Sequence, residues 1–490
     1  MSDNSSPRVK TLGAVFVGVD VWGRHQYGGG GLNSYRAITH IDPQSLGLSV
    51  ALFGPGWTWE SEQDNPGWNW EQWWQFERQL WIGPSRPDEV VPVPKPPQWP
   101  YGGPKGDEGP FKPIHAFFAH APPPDPRKFS FYTCFSPGIG HAWFVNGANV
   151  LETKQLWTDI DKQCSIGNLV WPRPLLHWEG DKPTEDLPLA STGFDMTDGW
   201  NGGNALKLSI VCGGSSSHDA FFQCVWIPVQ SLAVTVQESY EARVVYKTNT
   251  GEGCDLDLAV NVKSLSAEGS VSVETAILTD LQHGWSQQTL NFTVTSPGFT
   301  SVAVGLIAGF TAEDPTIPCT FTISLGQLAV YPSPLLPPVS VPLPSVSWAS
   351  FTPSAAISAE SLGNLVGVLT WDTAISLPFM NQIPLEGRDP EDPCPAWILD
   401  NNQITSCPSF IYFNIYIAVG LNSADVLDPS LAIFIGTTGL DGRGNRFYVE
   451  PQCLPEGLEG KKEARFYVQG VSNRGEVLPW DRCAHVDHEV

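Results

Sequence analysis

Near the amino terminus two short apolar runs, Val15-Phe16-Val17-Gly18-Val19-Asp20-Val21-Trp22-Gly23-Arg24 and Leu48-Ser49-Val50-Ala51-Leu52-Phe53-Gly54-Pro55-Gly56-Trp57-Thr58-Trp59-Glu60, each end in an aromatic, carboxylate-bearing turn. Runs of this length with few polar interruptions predict strands buried on both faces, as in a parallel sheet. Residues 36–46 between them predict a short helix, so the order is strand, helix, strand. That is the order of a (β/α)8 barrel, which gathers its functional side chains at the carboxyl-terminal ends of its strands. Trp70, Trp73, Trp74 and Trp81 recur near helical spacing and predict a helix over residues 68–81 with one bulky face laid on a sheet.

Further along, the pattern changes. Residues 84–126 are crowded with proline and glycine and predict an extended excursion rather than packed structure. Apolar runs resume at residues 129–135 and 142–145, and Gly138 and Gly140 between them predict a tight turn before His141. From residue 187 to 332 the apolar segments become short and alternating, as at 205–212, 240–247, 287–294 and 320–330, with Gly, Ser, Asn and Asp in the breaks. Such spacing predicts a two-sheet sandwich of jelly-roll type. A proline-rich spacer over 333–345 precedes a third unit, in which Trp371 on an early strand and Tyr467 on a late one resemble the core pair of fibronectin-III or immunoglobulin-like domains.

The predicted fold class is therefore multidomain α/β plus all-β. Residues 1–150 form the carboxyl-terminal part of a TIM barrel, 151–332 a sandwich like a carbohydrate-binding module, 333–345 a linker, and 346–490 a second sandwich.

Composition narrows the function classes. The net charge of −24, from 27 basic and 51 acidic residues, repels phosphate backbones and argues against nucleic acid and anionic membranes as partners. No apolar stretch approaches the ~20 residues of a membrane-spanning helix. The first ten residues lack the apolar core of a signal peptide, which points to the cytosol. The ten cysteines form no CxxC or Cys/His cluster, so neither a zinc or other metal site nor a dithiol redox motif is expected and most read as buried thiols. Asn4 and Asn291 head glycosylation sequons that matter only in a secreted chain.

Asp20 and Glu60, at the ends of the two predicted strands, form a possible carboxylate pair for glycoside hydrolysis, or helix-capping acids. Trp22, Trp57 and Trp59 are candidate stacking surfaces for sugar rings, with barrel-rim packing as the other reading. Arg24 either donates to hydroxyl and carbonyl oxygens or neutralises Asp20. His141 is read as structural, and Ser215-Ser216-Ser217-His218-Asp219 as a solvated loop, since adjacent residues do not converge into a triad.

The runs VFVGVDVWGR, LSVALFGPGWTWE and FYTCFSPGIGHAWFVNG, followed by Trp157 to Gln163, residues 192–208 and Gly284-Trp285, resemble the endo-β-N-acetylglucosaminidases of glycoside hydrolase family 85. The resemblance implies cleavage of the bond between the two core N-acetylglucosamines of N-glycans, with the substrate's acetamido group as nucleophile and a carboxylic acid as proton donor. It implies no cofactor, and N-glycans or glycoproteins as partners. In that family an Asn two residues before the acid Glu orients the acetamido group, on a strand upstream of these segments. No equivalent of that Asn-x-Glu stretch is found in this sequence, so no catalytic residue is placed and the chain is expected to be a truncated form, inactive alone. The resemblance implies substrate contacts at Trp22, Arg24, Trp57 and Trp59, and makes Asp20 and Glu60 rim or structural residues. The alternative is a non-catalytic glycan-binding or adhesion protein built on the sandwiches.

Overall fold

The computed structural model describes residues 11–489 apart from 85, 87–88, 97–108, 120–121, 171–172, 181–185, 215–221, 267–268, 296–299, 315, 334–343, 355–362, 375–407, 423–427, 441–444 and 459–460. Most of the proline-rich spacer, the Ser215 to Asp219 loop and Asn4 lie outside the described residues. The chain divides into two compact units, Met1–Ala121 with Trp171–Arg173 and Pro122–Val170 with Pro174–Val490.

In the first unit β1 (Phe16–Asp20) and β2 (Ser49–Phe53) pair in parallel, Phe16 opposite Ser49 and Asp20 opposite Phe53. The predicted connecting helix is two, α1 (Ser34–Ile41) and α2 (Pro43–Leu46), because Asp42 takes a left-handed conformation at φ 47°. Pro43 accounts for the break, since a residue before proline is disfavoured in the helical region. Val19, Val21, Tyr35, Ile38 and Leu80 form the core.

The pair is covered on one face and not on both. Phe16 is 67% exposed and Phe53 63%.

Two further helices follow, α3 (Trp57–Glu60) and α4 (Trp70–Trp81). Asn69 caps α4 by accepting the Gln72 N–H at 3.0 Å, one of the donors a helix start leaves unpaired. Leu80 reaches the core, with Phe76 and Trp81 packed against it, so the helix does lay an apolar face inward. The proline-rich segment departs from its expectation. Val91, Ile114 and Phe117 are buried in this core, and the Pro94 carbonyl accepts from Asn33 Nδ2 at 2.8 Å. Isolated apolar side chains among the prolines are enough to anchor a segment in which the described residues form one short 3-10 helix, Ile114–Phe117.

The second unit begins with β3 (Phe131–Thr133), β4 (Pro137–Val145) and β5 (Ala148–Gln163). The expected boundary at residue 150 falls inside the β4–β5 hairpin, and the division lies at 121/122. Gly138 and Gly140 lie within β4 rather than in a tight turn. A Cβ at Gly140 would stand 2.5 Å from the Trp157 indole, so the glycine makes room for that ring. Next come β6 (His177–Trp178), β7 (Leu189–Asp195), β8 (Ala205–Cys212), β9 (Gln223–Val234), β10 (Ser239–Thr250), β11 (Cys254–Ser264), β12 (Val271–Val273), β13 (Ile277–Asp280), β14 (Ser286–Val294), β15 (Thr300–Ala312) and β16 (Cys319–Pro332).

One sheet runs β12-β14-β10-β16-β8-β7, with β13 beside β14 and β3 beside β16; the other runs β11-β15-β9-β6. The inward rows Gln288, Leu290, Phe292 and Val294 of β14 show the alternation that commits one face of a strand to a core. Phe310 of β15 meets Phe321 of β16, ring centroids 5.3 Å apart, across the two sheets. Gln288 spans the same gap, donating to the Leu258 carbonyl at 2.6 Å and accepting the Val260 N–H at 2.7 Å.

Beyond the spacer, β17 (Ser345–Pro353), β18 (Gly367–Ala374), β19 (Phe410–Gly420), β20 (Ile433–Thr437), β21 (Arg446–Val449), β22 (Glu463–Ser472) and β23 (Ala484–Glu489) form two sheets ordered β17-β18-β21 and β20-β19-β22-β23. Trp371 and Tyr467 are both buried in their common core. Trp371 meets Phe413 edge-on at 5.0 Å, while Tyr467 packs on Trp480. The hairpin belongs to this core too: Trp143 donates to Asn414 Oδ1 at 3.3 Å and stacks near Phe434. Asn201 adds a buried polar tie, donating to Gln327 at 3.2 Å and to the Gly475 carbonyl at 3.1 Å.

Candidate functional site

The carboxyl-terminal ends of β1 and β2 bring Asp20, Trp22, Arg24 and Phe53 together. Arg24 Nε donates to Asp20 Oδ2 at 2.9 Å and its guanidinium lies 5.3 Å above the Phe53 ring. The Trp22 N–H donates to Asp20 Oδ1 at 3.1 Å, and the Asp20 N–H to Gln26 Oε1 at 2.7 Å. The hydrogen bond from Arg24 holds the Asp20 carboxyl below its ordinary range, and Asp20 in turn raises Arg24. Asp20 is therefore an ionised partner at neutral pH, an acceptor that aims the guanidinium and a poor proton donor.

Trp22 is exposed and stands over Gly54. At Gly54, φ is +67° and a Cβ would come within 2.7 Å of the Trp22 ring, so both the turn and the indole's seat require glycine.

The other candidates sit differently. Trp57 is half-buried against the unit's core, its ring 5.0 Å from Phe76 and close over Gly31. Trp59 is half-buried in an aromatic cluster with Trp68 and Trp73, each 6.3 Å away. Glu60 is exposed at the end of α3. His141 lends its backbone carbonyl to the Thr153 hydroxyl at 2.9 Å. Among the described residues no group of three His, Cys, Asp or Glu side chains gathers to hold a metal ion.

A polar cluster beneath these aromatics was not anticipated from the sequence. The buried Thr58 hydroxyl donates to Glu77 and accepts from Trp73 Nε1 at 3.2 Å, and Trp81 Nε1 donates to the other Glu77 oxygen at 2.7 Å. Burial pushes the Glu77 carboxyl up, with the two hydrogen bonds pulling the other way. The available signal was a lone acid four residues before Trp81 on the aromatic face of α4. Gln26 and Phe53, which fix Asp20 and Arg24, carried no signal of their own.

Residues 2–143 match the model described as Glycosyl hydrolase family 85. The chain is similar to cytosolic endo-beta-N-acetylglucosaminidases 1 and 2 of Arabidopsis thaliana, 35% and 33% identical over 68 residues that make up 14% of this chain. Those residues span only 10% and 9% of the two relatives. Among solved structures it is similar to the glycoside hydrolase domain of Endo-D from Streptococcus pneumoniae R6, with 16% identity and a TM-score of 0.47 over 98% of this chain and 58% of that one.

The matched stretch contains one Asn-x-Glu tripeptide, Asn69-Trp70-Glu71, which is also the only one in the sequence. Asn69 is spent on capping α4 and Glu71 is exposed in its first turn. The tripeptide thus lies at a helix start, whereas the family's acetamido-orienting pair is expected on a strand. Among the described residues no helix is long and apolar enough to cross a membrane.

Proposed function

We propose that this chain belongs to an endo-β-N-acetylglucosaminidase of the cytosol that hydrolyses the β-1,4 bond of the N,N′-diacetylchitobiose core of N-glycans, and that its own contribution to the site is the rim at Trp22 and Arg24. The observation that carries this reading is the exposed Trp22 indole beside an Arg24 guanidinium aimed by an ionised Asp20, on a segment matched by the family 85 model.

A pyranose face packs its C–H groups on an exposed indole, and a guanidinium fork donates to the flanking hydroxyl or amide oxygens. Trp57 and Trp59 stand behind that surface as half-buried candidates. Substrate-assisted hydrolysis then needs the acetamido oxygen to attack the anomeric carbon while an acid protonates the departing oxygen. Asp20 is held ionised and does not fill that role. The reading therefore places the proton donor on barrel strands other than β1 and β2. A non-catalytic glycan-binding role is the second reading, favoured by the lack of an assigned acid.

The test pairs turnover with binding. Incubating this chain with a denatured high-mannose glycoprotein is expected to release no glycan. Joined to complementing barrel strands of a family member, it is expected to do so. In that joined enzyme Trp22→Ala is expected to weaken transition-state binding by ~1–3 kcal/mol, the scale of one stacking contact. Unchanged kcat/KM in Trp22→Ala would return Trp22 to packing, and glycan binding without turnover in the joined enzyme would favour the second reading.

A further inference from the structure

Cys134, just after β3, and Cys164, just after β5, have their Sγ atoms 3.3 Å apart at the root of the β4–β5 hairpin. The backbone around them is pinned: the Cys164 N–H donates to the Ser136 carbonyl at 3.0 Å, and the Thr133 hydroxyl donates to the Ser165 carbonyl. The Ser136 N–H points at Cys164 Sγ from 3.3 Å. Cys134 is buried and Cys164 is half-buried.

These contacts make the two thiols unequal. The hydrogen bonds from Cys134 and from the Ser136 N–H favour the Cys164 thiolate and pull that thiol down, while the same contact and burial push Cys134 up. A second thiol cluster in the same unit differs. Cys212 faces Cys319 across β8 and β16, and burial pushes the Cys212 and Cys254 thiols up.

We propose that Cys134 and Cys164 form a peroxide-responsive dithiol whose closure to a disulfide locks the root of the β4–β5 hairpin. The Cys164 thiolate attacks one oxygen of hydrogen peroxide, giving a sulfenic acid and hydroxide, which takes up a proton to become water. Cys134 sulfur then attacks the sulfenic sulfur, the S–S bond forms, and the sulfenic oxygen leaves with protons as a second water. The balance is two thiols and one peroxide to one disulfide and two waters. The sulfur atoms need to approach only from 3.3 Å to ~2.05 Å.

The hairpin so locked carries Trp143, whose indole meets Tyr412 edge-on at 6.2 Å and bonds Asn414 in the core beyond the spacer. Oxidation therefore stiffens the element that ties the two sandwiches of this unit, and a thiol reductant releases it.

The test uses the full chain under a hydrogen peroxide titration. Non-reducing peptide mapping is expected to show a Cys134–Cys164 cross-link, lighter by two hydrogens, at peroxide doses at least ~10-fold below those that oxidise Cys212, Cys254 or Cys319. Amide exchange across residues 137–163 is expected to slow several-fold and to recover with dithiothreitol. In Cys134→Ser, Cys164 is expected to accumulate as a sulfenic acid that dimedone captures, with no slowing of exchange. The wild-type map and exchange decide the matter even where that variant fails to fold. No Cys134–Cys164 cross-link, a cross-link that leaves exchange unchanged, or equal sensitivity of the Cys212 cluster would each overturn the proposal.

Discussion

The parallel pair of the first unit and the antiparallel strands of the second bury their side chains in opposite ways. β1 and β2 join five residues each, and the outward Phe16 and Phe53 are 67% and 63% exposed. β14, by contrast, alternates through Leu290 and Phe292, each 1% exposed, with the facing sheet covering the row. Parallel strands are ordinarily covered on both faces, and two strands alone are marginal. The difference teaches that the second unit supplies its own cover, whereas β1 and β2 hold their shape through one face only, against α1 and the Val19 core. The candidate rim is built on β1 and β2, the strands covered on one face only.

Substitutions at the two kinds of phenylalanine sharpen this contrast most. Phe292→Ala is expected to cost ~3–5 kcal/mol in denaturant unfolding of the second unit, from lost burial and the cavity left behind. Phe53→Ser or Phe16→Ser is expected to change stability by no more than ~0.5 kcal/mol and to reduce aggregation. A comparable loss in both would break the comparison.

A smaller effect is expected at Gly54, where φ is +67° and the Trp22 ring occupies the space of a side chain. Gly54→Val is expected to cost ~1–3 kcal/mol, confined to the unfolding transition of the first unit. Displacement of Trp22 would show as a change in its fluorescence quenching by iodide.

The two regions are also expected to respond to pH with opposite sign. Glu77, raised by burial, contributes stability that is fully present below its ordinary value of 4.5 and is lost as pH rises through its higher folded value. Asp487 is lowered by the Arg465 hydrogen bonds at 2.5 and 2.8 Å. Its contribution is present above its ordinary value of 3.8 and lost as pH falls through the lower folded value. Glu77→Gln is expected to flatten the first dependence and Arg465→Met the second, read from unfolding midpoints across pH 3 to 7. The smallest effect belongs to Arg24→Ala, which is expected to leave the melting temperature unchanged because the guanidinium side of its ion pair with Asp20 is exposed and screened by solvent.

Much of the architecture was legible from apolar spacing. The run at 205–212 is β8 residue for residue, and the aromatic spacing at 68–81 is α4 less its first two residues. β5 and β23 escaped notice because their sequences, Leu151-Glu152-Thr153-Lys154 and Ala484-His485-Val486-Asp487 among them, alternate apolar with charged residues too weakly to stand out. Their outward rows face solvent, so solvation rather than packing selects those side chains.

The site was legible only in part. Residue type pointed to Trp22 and Arg24, but whether a tryptophan presents its face or wedges into a core depends on neighbours distant in sequence. Trp57 shows this, half-buried beside Phe76 of another helix. The Cys134 and Cys164 contact is likewise invisible in the spacing, since a strand pairing brings together residues thirty positions apart.

The central claim, that β1 and β2 are held from one side while β10 and β14 of the second unit close over their own core, is tested most directly by hydrogen exchange with mass spectrometry on the full chain. Peptides covering residues 16–20 and 49–53 are expected to exchange at least ~100-fold faster than those covering residues 240–246 and 288–294. Equal protection in the two regions would contradict the account.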